Sequence, residues 1–350
     1  MDIPMDQSTA GALTFSQKAT TTFMSVFLQT LLRSFRLHPH TWKWWKDVEV
    51  LRNICYGDKS IKAHRLDVYR PKNPPQKSPV CLYIHGGGFT LLSKNTHWMA
   101  ALYLAKKGYT VFSIDYRLAG KAPFPAAVHD TFEAAAWIHE HAEEYGADNS
   151  QWVITGESAG GNLSLGLMLA SCFELSETWT QRIFDLNLPI KAVLPICGFL
   201  QVSNPQRYTQ KPKLSALVKS RMMAISKRYL QGKRHPLADP LLPLESNLQP
   251  KRPIPPIMAF VGTKDPVLDD TRRLEAVLKK RNVIHEVSYT PNAIHGYHLA
   301  IWTAQAQESW KAQIQFLERF VSFSDENIHD EELEPTTESD IFLESNTTSQ

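Results

Sequence analysis

The sequence lacks the features that mark membrane-spanning and secreted proteins. Its 350 residues include no uninterrupted apolar run of the roughly 20 residues that a membrane-spanning helix needs. The longest apolar stretch, residues 23–32, is interrupted by three polar side chains. Asp2 and Asp6 stand where a signal peptide would carry basic residues. From these absences we predict a soluble, cytoplasmic protein without a signal peptide.

Residues that would hold a metal ion or a nucleotide are also scarce. The four cysteines are far apart and form no C-x-x-C pair: Cys55, Cys81, Cys172 and Cys197. Most lie in apolar runs, which favours buried free thiols in a reducing compartment over disulfides or zinc ligands. The glycine-rich loop at residues 86–88 is not followed by G-K-[ST] or continued as G-x-G-x-x-G. We therefore predict no cofactor and no metal.

Charge is distributed unevenly along the chain. Residues 324–350 hold nine acidic side chains and no Lys or Arg, so that 26 acidic residues face 38 basic ones on the remainder, a net charge of +12. Without an apolar period, residues 323–350 are predicted to be a disordered acidic tail. Residues 186–238 contain no Asp or Glu, although eight basic side chains cluster there: Lys211, Lys213, Lys219, Arg221, Lys227, Arg228, Lys233 and Arg234. A solvated helix face explains this cluster, with an anionic membrane or an acidic substrate as the alternative. The basic cluster does not predict nucleic-acid binding, because it contains no known nucleic-acid-binding motif and no series of aromatic residues alternating with the basic ones that could stack on bases.

The N-terminal segment carries an apolar stripe. Four apolar side chains recur at four-residue intervals: Phe23, Phe27, Leu31 and Phe35. This spacing predicts an amphipathic helix, and we expect residues 1–47 to form cap helices packed on the main body. Because the W-K-W-W-K cluster at residues 42–46 follows, weak association with a membrane surface is the alternative.

From residue 65 onward, short apolar runs alternate with helical stretches. Seven runs predict strands: 66–69, 80–84, 110–114, 152–155, 192–196, 257–261 and 286–289. Five stretches predict helices: 98–106, 126–141, 161–175, 271–280 and 304–320. This alternation predicts an α/β protein with a mostly parallel central sheet covered by helices on both faces. In such folds, functional sites collect at the carboxyl ends of the strands.

The clearest chemical signal is G-E-S-A-G at residues 156–160, where an apolar run gives way to small residues. The two glycines leave room for a serine in a sharp strand-to-helix turn, which pushes the hydroxyl of Ser158 out of the fold. The helix that follows directs its positive end and the Ala159 amide at the same point. We predict that Ser158 is a nucleophile.

The motif H-G-G-G-F at residues 85–89 follows the predicted strand 80–84. Glycine amides can approach a substrate oxygen closely, because no side chain keeps it away. We therefore predict that Gly86, Gly87 and Ala159 form an oxyanion hole. A merely flexible turn is the alternative.

Two further segments after predicted strands supply an acid and a base. Asp265 lies later in the chain than the serine and earlier than a histidine, where an acid can orient an imidazole. Asp269 and Asp270 compete, but they precede the predicted helix 271–280, where aspartate commonly caps backbone amides.

His295, followed by Gly296, is predicted to be the base, titrating near its unperturbed pKa. Periodicity alone does not separate it from His298. A metal-binding pair of His295 and His298 is disfavoured, since the sequence places no further ligand beside them.

Five motifs occur in the order of one known family: H-G-G-G-F at 85–89, D-Y-R-L-A at 115–119, G-E-S-A-G-G at 156–161, D-P-V-L-D at 265–269 and I-H-G-Y at 294–297. Over about residues 50–320, the chain resembles the hormone-sensitive-lipase family of α/β-hydrolases. The resemblance implies an α/β-hydrolase domain at residues 48–322, with a triad and an oxyanion hole made of the residues named above: Ser158, Asp265, His295, Gly86, Gly87 and Ala159. It also implies a helical cap, built from the N-terminal helices and an insertion at about residues 198–242. Gly120-Lys121 replaces the usual Pro-Glu, and Glu157 stands where Asp is commoner.

These expectations together predict a carboxylesterase that cleaves a small or medium hydrophobic ester through an acyl-enzyme on Ser158. One alternative is a non-catalytic small-ligand receptor on the same fold, although the histidine that such receptors lack is present here. Another is transfer of the acyl group to an amine or alcohol, or cleavage of amides or thioesters.

Overall fold

The computed structural model describes residues 45–74 and 77–322. The apolar stripe between residues 23 and 35 and the acidic tail at 323–350 lie outside the described residues. Trp45, the described tryptophan of the W-K-W-W-K cluster, stacks on Trp98 with ring centroids 5.6 Å apart. Within the described residues, no helix combines the length and the apolar character needed to cross a membrane.

The described strands form one sheet: β1 (Val48–Cys55), β2 (Arg65–Pro71), β3 (Ser78–Ile84), β4 (Thr110–Ile114), β5 (Ala147–Glu157), β6 (Ile190–Ile196), β7 (Ile257–Gly262) and β8 (His285–Thr290). Their order across the sheet is β1-β2-β4-β3-β5-β6-β7-β8. β2 is antiparallel to both β1 and β4, whereas all neighbours from β4 to β8 are parallel. The seven predicted strands and the mostly parallel sheet are confirmed. β1 was not predicted.

The described helices are α1 (Trp98–Lys106), α2 (Ala126–His141), α3 (Ala159–Cys172), α4 (Thr178–Leu186), α5 (Gln206–Thr209), α6 (Ala216–Leu230), α7 (Leu241–Glu245), α8 (Leu268–Lys280) and α9 (Ala304–Glu318). The five predicted helices are confirmed, with ends shifted by at most three residues. α1 and α9 meet through the rings of Tyr103 and Trp310, while α2, α3 and α4 pack together as a second group.

The centre of the fold is occupied by β3 and α3. Every residue of β3 is buried, as expected for a parallel strand that is covered on both faces. Every residue of α3 is buried as well, and its small side chains let it pack closely on β5 and β6. The turn between β5 and α3 therefore lies next to two fully buried elements.

Two buried aspartates hold the ends of the segment between β6 and β7. Asp270 accepts hydrogen bonds from the amides of Leu200 at 2.9 Å and Gln201 at 3.2 Å. Asp239 accepts one from the amide of Ser203 at 2.9 Å. The helices α5 and α6 lie between these two anchored ends, within the insertion predicted at about residues 198–242.

Candidate active site

Ser158 lies at the sharp turn between β5 and α3. Its backbone adopts φ 53° and ψ −110°, a strained conformation for a residue with a side chain. The Ser158 amide donates to the Ile196 carbonyl at 2.9 Å, which holds the turn against β6. A Cβ at Gly156 would lie 2.7 Å from the Gly160 backbone, and a Cβ at Gly160 would collide with the Ile84 carbonyl. Glycine is therefore required on both sides of the serine.

The amides predicted to bind an oxyanion follow two neighbouring strands. Ala159 is the first residue of α3, so its N–H has no acceptor within that helix. Gly86 follows β3 and packs on β5, since a Cβ there would lie 3.0 Å from the Glu157 carbonyl. Gly87 is partly exposed and adopts φ 117°, which favours glycine. The pairing of β3 with β5 thus places the glycine loop beside the serine turn.

His295 and Asp265 form a hydrogen-bonded pair. The Nδ1 atom of His295 lies 2.8 Å from Oδ2 and 3.0 Å from Oδ1 of Asp265. The Asp265 side chain is fully buried, whereas that of His295 is 37% exposed. Asp265 Oδ1 also accepts the Val267 amide at 2.9 Å, which fixes the direction of the carboxylate. One ring nitrogen is thus bound to the acid, and the other can act on a substrate or a nucleophile.

The pair changes the basicity of the imidazole. Burial disfavours the imidazolium, but Asp265 and then Cys197 outweigh burial and raise the pKa of His295 well above 6.5. The predicted titration near the unperturbed pKa is therefore corrected upward. The structure favours a base that is stronger than a free histidine.

The competing aspartates have other partners. Both lie within the first turn of α8, so the expectation that they precede this helix was wrong. Asp269 is partly exposed and forms an ion pair with Lys211 at 2.5 Å. Asp270 is buried and forms an ion pair with Arg207 at 2.8 Å, in addition to the two loop amides described above. Their hydrogen-bonding capacity is thus used to hold the insertion.

A buried cluster of one acid and two histidines lies directly behind Ser158. Glu157 contacts His298 with 2.5 Å between Oε2 and Nε2, and its other oxygen contacts His97. All three side chains are at most 5% exposed. His97 precedes α1, and His298 lies in a 3-10 turn three residues after His295. The cluster therefore joins the serine turn to the loop that carries His295.

The cluster is charged despite its burial. Burial opposes the Glu157 carboxylate, but His97 and His298 outweigh it and lower the pKa of Glu157. The pKa of His97 is raised, because Glu157 likewise outweighs burial. The neighbouring His85 remains neutral, since burial and then the charge of His97 lower its pKa to about 3. An ionised Glu157 is thus paired with the His97 imidazolium in the interior, and it also contacts His298.

Replacing Glu157 by glutamine is expected to lower the free energy of unfolding by about 3–5 kcal/mol, because the change leaves the buried His97 imidazolium uncompensated. Urea unfolding followed by tryptophan fluorescence measures this loss. Glu140→Gln is the matched control, since Glu140 is exposed and lies 4.0 Å from Arg182. The control should lose less than about 1 kcal/mol. Equal losses in the two variants would contradict a charged cluster.

Cys197 is a further neighbour of His295. The Cys197 Sγ atom, one oxygen of Asp265 and one nitrogen of His295 lie within 4.8 Å of one another. Three ligand atoms at this spacing could hold a metal ion. These are ligand types that zinc uses, but Asp265 and His295 are already bonded to each other. Burial raises the pKa of the Cys197 thiol, so it is neutral. All four cysteines are free, and three of them are buried, as expected for cysteines in apolar runs.

Two of these neighbours were missed in the sequence. Cys197 directly follows β6, just as the other site residues follow strands. This position in the sequence could have identified it as a site residue. His97 lies in no motif, and no local pattern marks it. Glu157 was noted as a departure from the family pattern, but its histidine partners lie far away in the chain.

Comparison with known proteins identifies relatives over most of the chain. A family profile described as "alpha/beta hydrolase fold" matches residues 81–299. The carboxylesterase NlhH of Mycobacterium tuberculosis is 30% identical over 245 residues, which cover 66% of this chain and 70% of that protein. The hormone-sensitive lipase of Mus musculus is 37% identical over 166 residues, or 46% of this chain and 20% of that protein.

Solved structures share the fold. An esterase described as belonging to the bacterial hormone-sensitive lipase family superposes with a TM-score of 0.66 and 25% identity, covering 90% of this chain and 94% of that one. A bacterial heroin esterase superposes with a TM-score of 0.69 and 22% identity, covering 88% and 92% of the two chains. At that identity, the second match supports the fold alone.

Proposed function

The chain belongs to the alpha/beta-hydrolase family, as a hormone-sensitive-lipase-like member, and from this premise we propose that it cleaves esters through Ser158, Asp265 and His295. It is a carboxylic ester hydrolase, in line with the carboxylesterase and esterase relatives. The observation that carries the residue assignment is the 2.8 Å hydrogen bond between His295 and a fully buried Asp265. The strained turn at Ser158 supports it.

In the proposed first half-reaction, His295 takes the proton of the Ser158 hydroxyl while the serine oxygen attacks the ester carbonyl. The amides of Gly86, Gly87 and Ala159 donate to the oxygen that becomes negative. Asp265 holds the imidazole in the required tautomer and stabilises the imidazolium. The intermediate then collapses, and the alcohol leaves with the proton from His295.

In the second half-reaction, His295 takes a proton from water, which attacks the acyl-enzyme. A second tetrahedral intermediate forms, the bond to Ser158 breaks, and the serine regains its proton from the imidazolium. The acid product then leaves. Transfer to an alcohol or amine would use the same acyl-enzyme, with that acceptor in place of water.

The substrate is a small ester, and we propose a short or medium hydrophobic acyl group for it. The side chain of Ile225 on α6 supports this proposal, because its Cδ1 would lie only 2.6 Å from a Cβ on Gly88, beside the proposed oxyanion hole. We also propose that the insertion at about residues 198–242 and the segment 1–47 form the cap. Weak binding to a membrane surface stays the alternative for residues 1–47.

Labelling with a fluorophosphonate probe tests the nucleophile assignment. We expect a single phosphonylated peptide that contains Ser158, located by tandem mass spectrometry, because such probes trap activated serines. Pretreatment with the serine-directed inhibitor paraoxon should abolish labelling and turnover of p-nitrophenyl butyrate together. An adduct elsewhere would overturn the assignment. No adduct at all would favour the non-catalytic receptor.

A further inference from the structure

Arg221 lies on the helix that covers the glycine-rich loop. Phe89, the residue after the three glycines, stacks on Tyr229 of α6 with ring centroids 3.7 Å apart and planes 8° from parallel. Ile225 of the same helix contacts Gly88. Because two successive turns of α6 rest on this loop, the preceding turn, which carries Arg221, is held close to it as well.

One hydrogen bond places the guanidinium next to the proposed oxyanion hole. The Nη2 atom of Arg221 donates to Thr90 Oγ1 at 3.3 Å. Thr90 Oγ1 in turn lies 3.5 Å from the Gly87 carbonyl oxygen. The Thr90 side chain therefore lies between the Arg221 guanidinium and Gly87.

Arg221 donates to a neutral hydroxyl and has no acidic partner within the described part of the chain. Some partly buried arginines hold a carboxylate: Arg117 with Asp130, Arg207 with Asp270, and Arg273 with Glu245. Others donate to several backbone carbonyls, as Arg252 and Arg281 do. Arg221 is partly buried as well, but it has no ion-pair partner among residues 45–74 and 77–322. The surrounding segment 186–238 contains no Asp or Glu that could move in.

The environment of Arg221 is unfavourable for a lone cation. Burial, and then the charge of Arg228 two turns further along α6, lower the pKa of Arg221. A guanidinium that loses water without gaining an anion costs free energy, and an anionic ligand would remove that cost. Its planar fork of N–H donors fits the two oxygens of a carboxylate.

We propose that Arg221 and Thr90 bind a carboxylate carried by the ester substrate. The inference rests on the proposed ester hydrolysis and adds a substrate class to it: monoesters of short dicarboxylic acids, or acyl esters of short hydroxy acids. The carboxylate binds at Arg221 while the ester carbonyl lies at Gly87. Only three or four bonds separate the two groups in such molecules, which suits the short path from Arg221 through Thr90 to Gly87.

The test compares charged esters with neutral esters of the same shape, using the full-length chain in a pH-stat assay. Monomethyl glutarate is paired with methyl pentanoate, and 3-acetoxypropanoate with propyl acetate. We expect wild type to prefer at least one charged ester in kcat/KM, and Arg221→Gln to reduce that preference by about 10- to 100-fold, mainly through KM, as for a hydrogen bond to a charged group. Lys213→Gln, an exposed residue with the same change in charge, should retain the preference.

A binding measurement separates this inference from the hydrolytic mechanism. Calorimetric titration of Ser158→Ala with the charged esters should detect binding, and the added Arg221→Gln change should weaken it about 10-fold or more. The inference would be overturned if Arg221→Gln and Lys213→Gln gave equal ratios of kcat/KM for charged over neutral esters. It would also be overturned if neither turnover nor binding favoured the charged esters. Failure of wild type to cleave any neutral ester would instead count against the proposed hydrolysis, while the titration still decides the role of Arg221. Melting temperatures within about 2 °C of wild type show that the variants are folded.

Discussion

Ser158→Ala is expected to reduce kcat for short acyl esters by a factor on the order of 10⁴ to 10⁶, because it removes the atom that attacks the carbonyl. The fold should survive the change. The backbone of Ser158, through its amide bond to the Ile196 carbonyl, holds the turn. Alanine keeps that backbone bond and fits the same space.

Hydrolysis of p-nitrophenyl esters from acetate to octanoate measures the loss. Ser164→Ala is the matched control, because Ser164 lies on the same helix, is fully buried, and donates to the Gly160 carbonyl at 2.8 Å. The control should stay within about threefold of wild type, since its hydroxyl is used inside the helix. Equally slow turnover by wild type and Ser158→Ala would reject the nucleophile assignment.

Asp265→Asn is expected to lower kcat by about 10,000-fold with little change in KM, because an amide cannot hold His295 in the tautomer that accepts the serine proton. Because the Asp265 side chain is fully buried, water cannot compensate for the lost charge, and the expected decrease in kcat is large. Asp269→Asn removes the same charge four residues later, from a partly exposed ion pair with Lys211. It should change kcat less than about threefold. Comparable losses in the two variants would force a new assignment of the acid.

The pH profile provides a second measurement on the same variant. Asp265 raises the pKa of His295 in wild type, so kcat/KM should rise with pH through a transition above 6.5, as the imidazolium loses its proton. Removing the carboxylate removes this effect, and the transition of the remaining activity should move to lower pH. A transition that stays in place would show that another group controls activity.

The sequence predicts the parts of this protein that depend on neighbouring residues. Seven strands were found because their apolar runs are short and bounded by turns, and the turn at Ser158 was found because its glycines lie two residues away on each side. β1 was missed because it is an edge strand with mixed burial and an irregular register between Leu51 and Ile54. The start of α8 was misplaced because its first turn is acidic, a pattern that also describes a cap.

The sequence does not predict contacts between residues that lie far apart in the chain. Glu157 and His298 are separated by 141 residues, and only the sheet topology brings them together. The roles of Asp269 and Asp270 depend in the same way on Lys211 and Arg207, which belong to the insertion. Local pattern gives the kinds of groups in the site, whereas folding determines which of them meet.

The anchored ends of the insertion limit how this region can move. Asp270 and Asp239 bind the backbone of Leu200, Gln201 and Ser203 from the protein interior. Residues 200–203 are therefore held in place, and a movement of α6 would have to bend the chain between residues 204 and 238. A pivot there would swing α6, together with Arg221 and Ile225, away from the glycine loop. In such a movement the stacked rings of Phe89 and Tyr229 would have to separate.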